Sequence, residues 1–160
     1  RAGVDVLSFG GTKNGMLSTE AVVFFNHDLA REFDYRVKQG GQLASKMRFA
    51  AAQWSAMLQN DAWLSHAAHA NALAQRLASA LRAIPSLRLL AEPEVNSVFV
   101  EMPPALYAAL AERGWQFHRF IGEHGYRLMC SWATSTADVD TFVADVRTLA
   151  VGKSAGKRPR

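Results

Sequence analysis

Lys13 is the residue of this sequence best placed for covalent chemistry, because it lies in a glycine-rich loop, SFGGTKNG, that directly follows an apolar segment. A lysine that loses hydration becomes a neutral amine more readily, and a neutral amine attacks an aldehyde to form a Schiff base. The Thr12 hydroxyl and the glycine amides are donors that suit a phosphate group. The residues alone leave two interpretations open for Lys13: imine formation with an aldehyde cofactor, or an exposed position in an ordinary loop between strands.

Arg127 is the second candidate, in the segment GYRLMCSW. Strand-forming neighbours would hold its backbone rigidly, and a guanidinium pairs with a carboxylate through two parallel hydrogen bonds. A surface arginine that packs its aliphatic stem on apolar neighbours has the same local pattern. Carboxylate binding and surface packing therefore both remain open for Arg127.

The histidines and the single cysteine are not arranged as a metal site. His66 and His69 lie about one helical turn apart, but no cysteine or carboxylate completes a ligand set, so we predict packing or surface positions for both and no metal. Proton transfer is open but disfavoured for His118 and His124. Cys130 excludes an intramolecular disulfide, and we predict that it is a small buried hydrophobic group in a protein of the reducing cytoplasm.

The composition is that of a folded globular protein, with 49% hydrophobic residues in a chain of 160. No apolar run approaches the roughly 18 residues of a membrane-spanning helix, so no membrane partner is expected. The formal charge of +4 equals that of four basic residues in the last segment, GKSAGKRPR. We predict a disordered basic tail at residues 151–160 and no nucleic-acid partner. Because the sequence lacks an initial methionine and begins close to a predicted strand, we expect a fragment of a longer protein.

The elements that must position Lys13 are predicted from short β-branched and aromatic runs and from helical periodicity. Strands are predicted at residues 4–9 and 21–25, and helices at 29–39, 43–58 and 62–84. The two strands lack strict alternation, which predicts cover on both faces. The helix at 43–58 is apolar on most sides, which predicts packing against several neighbours or another subunit.

The second half of the chain alternates strands with helices. Strands are predicted at 87–90, 97–102, 116–121 and 126–132, and helices at 104–114 and 137–149. This order is typical of an α/β unit with helices on one face of a small sheet. We predict a domain boundary between residues 59 and 60.

Several segments together resemble the C-terminal half of low-specificity threonine aldolases, which belong to the aminotransferase-like class of pyridoxal 5'-phosphate enzymes. These segments are DVLSFGGTKNG, AVVFF, YRVKQGGQLASKMRFAAAQW and WLSHAAHANALAQRLA. The resemblance extends from the first residue to about residue 149. It implies an α/β fold that is the C-terminal part of a pyridoxal-phosphate-dependent transferase-like fold. Residues 1–59 would form the edge of the large cofactor-binding domain, and residues 60–150 a small C-terminal α/β domain.

The resemblance also implies roles for single residues. Lys13 would hold pyridoxal 5'-phosphate as a Schiff base, with Thr12 as a further contact to the cofactor. Arg127 would bind the α-carboxylate of the amino-acid substrate. Lys38 and the Gly40–Gly41 turn would lie near the cofactor phosphate or a subunit interface, although a basic residue at a helix C-terminus explains Lys38 equally well.

The reaction implied is the cleavage of L-threonine, L-allo-threonine and related β-hydroxy-α-amino acids to glycine and an aldehyde, in a homotetramer arranged as a dimer of dimers. In this class the ring-nitrogen aspartate, the stacking histidine and the phosphate-binding glycine loop precede the lysine, so the fragment alone is expected to be inactive. Two alternatives stay open. One is another pyridoxal-phosphate enzyme of the same fold, namely a β-eliminating lyase, a racemase or an aminotransferase. The other is a non-catalytic α/β interaction module.

Overall fold

A computed structural model describes residues 2–151, and the chain divides into two compact units, the first ending at His66 and the second beginning at Ala67. The sequence-predicted boundary between residues 59 and 60 lies a little earlier. The assignment of the two parts to a large and a small domain stays a prediction. Apart from Val151, the predicted basic tail lies outside the described residues.

The first unit is built on a two-stranded antiparallel hairpin, β1 and β2, whose connection carries Lys13. Val6 pairs with Phe24 at one end of the hairpin, and Gly10 pairs with Glu20 beside the connection. The elements are β1 (Val6–Gly10), a 3₁₀ turn (Thr12–Asn14), β2 (Glu20–Phe24), a second 3₁₀ turn (His27–Ala30), α1 (Phe33–Gln39) and α2 (Arg48–Gln59). The two strands that were predicted to bracket the lysine are therefore both present.

Two predicted helices are shorter than the sequence indicated, because the backbone turns left-handed at a non-glycine residue before each of them. Glu32 has φ 61° and separates the 3₁₀ turn from α1, and Lys46 has φ 61° shortly before α2. An L-residue cannot continue a right-handed helix through a positive φ. The predicted start points at residues 29 and 43 were therefore wrong, while the helix ends were close.

The predicted cover on both faces of the hairpin is only partial in the described residues of this chain. Leu7 is 41% exposed and Val22 is 45% exposed. The ring of Phe9 packs against the rings of Trp54 and Trp63, with centroids 4.8 and 5.5 Å apart. These two tryptophans cover the part of one hairpin face that carries Phe9. On the opposite face the ring of Phe24 packs against Phe33 of α1, with centroids 4.8 Å apart, so the described residues of this unit cover each face only in part.

Helix α2 is not surrounded by neighbours among the described residues, contrary to the first of its two predicted environments. None of its residues is buried, and Phe49 is 62% exposed. Packing against another subunit stays a prediction for this helix.

The second unit is a four-stranded antiparallel sheet in the order β3-β4-β6-β5 with three helices. Its elements are α3 (Ala62–Arg82, which begins in the first unit), β3 (Arg88–Leu89), β4 (Ser97–Glu101), α4 (Pro104–Glu112), β5 (His118–Ile121), β6 (Gly125–Met129) and α5 (Thr136–Val151). The order of strands and helices matches the one predicted from the sequence.

The core of this unit lies between the sheet and its helices, which confirms the predicted one-sided arrangement. Val98 and Val100 alternate along β4, Tyr126 and Leu128 alternate along β6, and all of them are buried in one cluster. The helical members of the cluster come from α3, α4 and α5. The intervening strand residues point to the opposite face, which is the face that carries Arg127. Within residues 2–151, each helix is too short or too polar to cross a bilayer.

Candidate functional site

Lys13 lies in the middle of the 3₁₀ turn that joins β1 to β2, and this turn is closed by its own backbone. The amides of Asn14 and Met16 both donate to the Gly11 carbonyl oxygen, at 2.9 and 3.1 Å. Gly15 ends the turn at φ 103°, a conformation that favours glycine. The backbone of Lys13 is therefore held within a compact loop.

Position 11 requires glycine because neighbouring atoms approach it closely. Its backbone conformation does not require glycine, since a φ of −73° suits any residue. A Cβ atom at this position would lie 2.6 Å from the Thr19 carbonyl oxygen, 2.6 Å from the Met16 sulfur and 3.0 Å from the Trp54 ring. The loop therefore closes tightly only because residue 11 has no side chain.

Helix α2 holds the far side of the lysine loop through two side chains. Trp54 Nε1 donates to the Thr19 hydroxyl at 2.9 Å, and Gln53 Oε1 accepts from the Leu17 amide at 2.8 Å. These bonds join residues 35 and 36 positions apart in the chain. The sequence analysis did not identify either contact.

The first turn of α3 contacts the loop at Asn14, the residue after Lys13. Asn14 Nδ2 donates to the Trp63 carbonyl oxygen at 3.0 Å, and His66 Nδ1 lies 2.9 Å from the Asn14 carbonyl oxygen. The loop is therefore fixed from two helices as well as from the hairpin. His66, which was predicted to be a packing or surface residue, is half-buried and bonded to the backbone of the lysine loop.

The Lys13 side chain is exposed, so residues 2–151 do not supply the loss of hydration considered from the sequence, and it makes no ion pair with a carboxylate among them. Its Cδ lies 3.8 Å from the position that a Cβ on Gly10 would occupy, so the stem runs over that glycine. A rigid backbone thus presents an accessible primary amine.

The Thr12 hydroxyl has a structural partner beside the lysine. It accepts from the Thr19 amide at 3.1 Å and lies 3.5 Å from the Thr19 carbonyl oxygen. This pair of contacts joins the two ends of the loop. The predicted contact of Thr12 with a cofactor stays a prediction.

Arg127 lies on β6, in the second unit, opposite Phe99 of β4 and His118 of β5. The guanidinium carbon is 4.6 Å from the centroid of the Phe120 ring, and that ring packs against Phe99 with centroids 5.4 Å apart. A cation over an aromatic face is attracted by the ring quadrupole. The Phe120 ring, supported by Phe99, therefore forms a platform under the guanidinium of the half-buried Arg127.

The ion pairs of the second unit distinguish Arg127 from most of its other arginines. Four arginines there pair with carboxylates: Arg76 with Asp140, Arg82 with Glu92, Arg88 with Glu101 and Arg113 with Asp145. Arg127 makes no ion pair with a carboxylate in the part of the chain that the structure describes. Its planar fork is therefore available to a carboxylate from outside the described residues.

The sequence model of the beta-eliminating lyase family matches residues 1–104, which include the lysine loop and all of α1, α2 and α3. The chain belongs to the beta-eliminating lyase family.

Two relatives of this beta-eliminating lyase family chain are low specificity L-threonine aldolases. The protein from Pseudomonas sp. (strain NCIMB 10558) is 53% identical over 149 residues, which are 93% of this chain and 43% of the relative. The protein from Pseudomonas aeruginosa is 54% identical over 147 residues, which are 92% of this chain and 42% of the relative. The chain thus spans less than half the length of these relatives.

Solved structures confirm the predicted fold class for this family member. A threonine aldolase from Leishmania major superposes with a TM-score of 0.83 at 25% identity, over 91% of this chain and 43% of that one. A glycine decarboxylase (P-protein) superposes with a TM-score of 0.54 at 17% identity, over 90% of this chain and 34% of that one. At that identity the second likeness concerns the fold alone.

The other sequence candidates take ordinary positions in this beta-eliminating lyase family chain. His69 Nε2 lies 2.7 Å from the Thr134 carbonyl oxygen, and no group of three or more His, Cys, Asp or Glu residues among the described positions is arranged to hold a metal. Cys130 is 2% exposed, as predicted, and burial raises the pKa of its thiol. Burial therefore keeps this thiol in its protonated, poorly nucleophilic form.

Lys13 and Thr12 belong to the first unit and Arg127 to the second. Lys13 presents an accessible amine on a fixed loop, and Arg127 has no carboxylate partner among the described residues. The functional roles of Lys13, Thr12 and Arg127 stay predictions. His118 faces the same side of the sheet as Arg127, and His124 is exposed in the turn that follows β5. A role in proton transfer for either histidine stays a prediction.

Proposed function

We propose that this chain is the C-terminal part of a pyridoxal-phosphate-dependent aldolase that cleaves L-threonine, L-allo-threonine and related β-hydroxy-α-amino acids to glycine and an aldehyde. The observation that carries the proposal is the accessible Lys13 amine, without an ion pair among residues 2–151, on a loop whose backbone is fixed from several sides. Identity of 53 and 54% to two low specificity L-threonine aldolases supports the reaction type.

Pyridoxal phosphate is the cofactor of this family, and the lysine loop fits the aldehyde group of that molecule. An exposed primary amine without an ion pair has the chemistry needed to bond an aldehyde carbon. When bound, the cofactor supplies an electron sink for the charge left on the substrate when a bond to its α-carbon breaks. Lys13 is proposed to hold the aldehyde carbon, and the Thr12 hydroxyl beside it is proposed as a second contact.

Arg127 is proposed to bind the α-carboxylate of the substrate through its guanidinium fork. A carboxylate held by two parallel hydrogen bonds is fixed in direction as well as in position. That orientation would decide which bond of the α-carbon is presented for cleavage. The Phe120 platform supports this role, because it restricts the guanidinium without using a carboxylate partner.

The larger assembly is proposed on the same basis. Residues 1–59 would belong to the large cofactor-binding domain and residues 60–150 to the small C-terminal domain of a cytoplasmic homotetramer, a dimer of dimers. The exposed apolar residues of α2, such as Phe49, support packing against another subunit. Since the chain spans 43% of its first relative, we expect negligible turnover from these 160 residues alone.

The test uses the full-length polypeptide that contains this sequence, loaded with pyridoxal phosphate and given L-threonine. We expect acetaldehyde and glycine in equal amounts, and borohydride reduction should fix the cofactor to Lys13 in peptide mass spectra. Lys13→Ala should reduce cleavage by more than about a thousandfold, whereas Lys46→Ala should leave it unchanged.

The name of the matched family gives one competing function specific support, namely β-elimination. Formation of ammonia and a keto acid in place of glycine and acetaldehyde would favour that reaction. A keto acid formed only when an amino-group acceptor is added would indicate an aminotransferase. Formation of D-allo-threonine, by inversion at the α-carbon alone, would indicate a racemase. Cofactor fixed evenly over exposed lysines, with no product, would favour a non-catalytic module.

A further inference from the structure

Asn14, a half-buried residue of the lysine loop, is bonded through three of its polar groups. Its amide donates to the Gly11 carbonyl oxygen at 2.9 Å, and its side-chain Nδ2 donates to the Trp63 carbonyl oxygen at 3.0 Å. Its own carbonyl oxygen lies 2.9 Å from His66 Nδ1. We call the last two contacts, which join Asn14 to the first turn of α3, the Asn14 latch.

We propose that His66 is a positioning residue for Lys13, acting through the Asn14 latch. A carbonyl oxygen only accepts hydrogen bonds, so Nδ1 of His66 carries the hydrogen in this contact. The ring is half-buried and lies within the same unit as the loop. The proposal rests on the proposed function, since it assigns His66 to the placement of the amine that would hold the cofactor.

The position of the latch explains why it matters for Lys13. Asn14 follows the lysine directly, and Gly15 follows Asn14 at φ 103°. A glycine permits wide backbone rotation, so the peptide between Asn14 and Gly15 is the part of the turn least restrained by its own residues. The His66 bond fixes the carbonyl of that peptide. Without the latch, Asn14 is free to shift relative to the first turn of α3 and to carry the adjoining Lys13 backbone with it. Misplacement by about 1 Å is costly at a reacting group.

His69 provides a matched control on the same helix. It lies one helical turn after His66, is exposed, and contacts the carbonyl oxygen of Thr134 at 2.7 Å. Both His69 and Thr134 belong to the second unit. Loss of the His69 ring therefore removes a histidine bond from α3 without touching the Asn14 latch.

The experiment compares His66→Ala, His66→Asn and His69→Ala in the full-length polypeptide. Hydrogen exchange of peptides that cover residues 11–17 is measured without cofactor, and the share of borohydride-fixed pyridoxal phosphate at Lys13 is measured relative to Lys46. His66→Ala should speed exchange in the loop and lower the Lys13 share by about threefold to tenfold, the worth of one hydrogen bond. His66→Asn places an amide donor near the former Nδ1 and should restore both readouts, and His69→Ala should match the wild type.

Wild-type exchange and labelling in His66→Ala would overturn the proposal, as would equal changes in His69→Ala or a failure of His66→Asn to restore either readout. If His66→Ala does not fold, Asn14→Leu removes the side-chain half of the latch and is judged by the same two measurements. A wild-type protein that is not labelled at Lys13 contradicts the proposed function, and loop exchange without cofactor then still decides the role of His66.

Discussion

The two units of this chain are ordered by different kinds of interaction. The second unit has a continuous core in which residues from β4, β6, α3, α4 and α5 are buried together. Among the described residues of the first unit, Met16 is the one apolar side chain that is buried. The first unit depends instead on the hydrogen bonds of the lysine loop and on the rings of Phe9, Trp54 and Trp63.

This difference indicates that the lysine loop is precise but has little apolar support from its own chain. Leu17 is 86% exposed and Tyr35 is 71% exposed in the first unit. Exposed apolar surface of this extent marks an interaction surface. Because the chain spans 43% of its first relative, we expect polypeptide beyond these residues to cover the surface. The second unit, by contrast, carries within itself the core that holds Arg127.

The largest effect is expected from a cavity in the core of the second unit. Leu81 is fully buried, and Leu81→Ala should lower the free energy of unfolding of that unit by about 2–5 kcal/mol. Urea dependence of hydrogen exchange in peptides from β4 and β6 would measure it. Leu17→Ala, at an 86% exposed position of the first unit, should change stability by no more than about 0.5 kcal/mol. Equal effects of the two substitutions would contradict the contrast between the units.

The next effect should appear in the first unit when Gly11 gains a methyl group. Gly11→Ala would place a Cβ 2.6 Å from the Thr19 backbone oxygen, and overpacking of this kind costs about 1–3 kcal/mol. We expect faster hydrogen exchange in residues 11–19 and weaker fixation of pyridoxal phosphate at Lys13.

Gly10→Ala is the matched control for that substitution. Its Cβ would meet the Glu20 carboxylate at 2.9 Å, but that contact is the end of a flexible side chain that can move away. We expect loop exchange close to that of the wild type. A loop that tolerates Gly11→Ala as well as Gly10→Ala would show that tight closure does not hold Lys13.

The sequence predicted the placement of Lys13 and Arg127 well, because both depend on local signals. The apolar runs around the loop, the glycines and the strand-forming neighbours of Arg127 are all visible within a few residues. The contacts of Asn14 with Trp63 and His66 were not predictable in this way, since they join residues 49 and 52 positions apart. They depend on where residues 62–66, the part of α3 within the first unit, lie against the lysine loop, which is a property of tertiary packing.

The errors in the predicted fold have a similar cause. The pattern of apolar residues in a strand or helix predicts which residues prefer to be buried. It does not predict whether the residues that bury them belong to the same chain. The hairpin and α2 were predicted to be buried, yet their apolar residues lie partly exposed in this chain. The left-handed residues Glu32 and Lys46 left no composition signal, because glycine is the usual marker of a positive φ.

A change at Arg127 should affect substrate binding more than folding. Arg127→Lys keeps the charge but loses the planar fork, so in the full-length polypeptide we expect the KM for L-threonine to rise by about tenfold with a smaller change in kcat. Arg119→Lys, at an exposed position of the neighbouring strand β5, should leave KM unchanged. An equal rise for both variants would indicate a general charge effect and would remove Arg127 from the carboxylate site.

The smallest effect is expected at the start of α5, where Asp138 and Ser135 cap the helix of the second unit. Asp138 Oδ2 accepts from the Ser135 hydroxyl at 2.7 Å and from its amide at 2.8 Å, and these two bonds lower the pKa of the carboxyl group. The ionised group is therefore favoured in the folded state. Its stabilising contribution is present above the unfolded pKa of about 4 and is lost as the pH falls through the lower folded pKa.

Asp138→Asn should accordingly unfold at a lower temperature than the wild type at neutral pH, and the gap should close as the pH is lowered below about 4. Thermal unfolding of both proteins is measured between about pH 7 and about pH 2.5. The other titrating groups are the same in both proteins, so their effects cancel in the difference between the two unfolding temperatures. In a Ser135→Ala background the hydrogen bond from the hydroxyl is missing, so the same Asp138→Asn step should show a smaller pH dependence. A gap that stays constant with pH would mean that the charge of Asp138 does not stabilise the helix. The capping of α5 would then depend on shape and neutral hydrogen bonds, as the lysine loop of the first unit does.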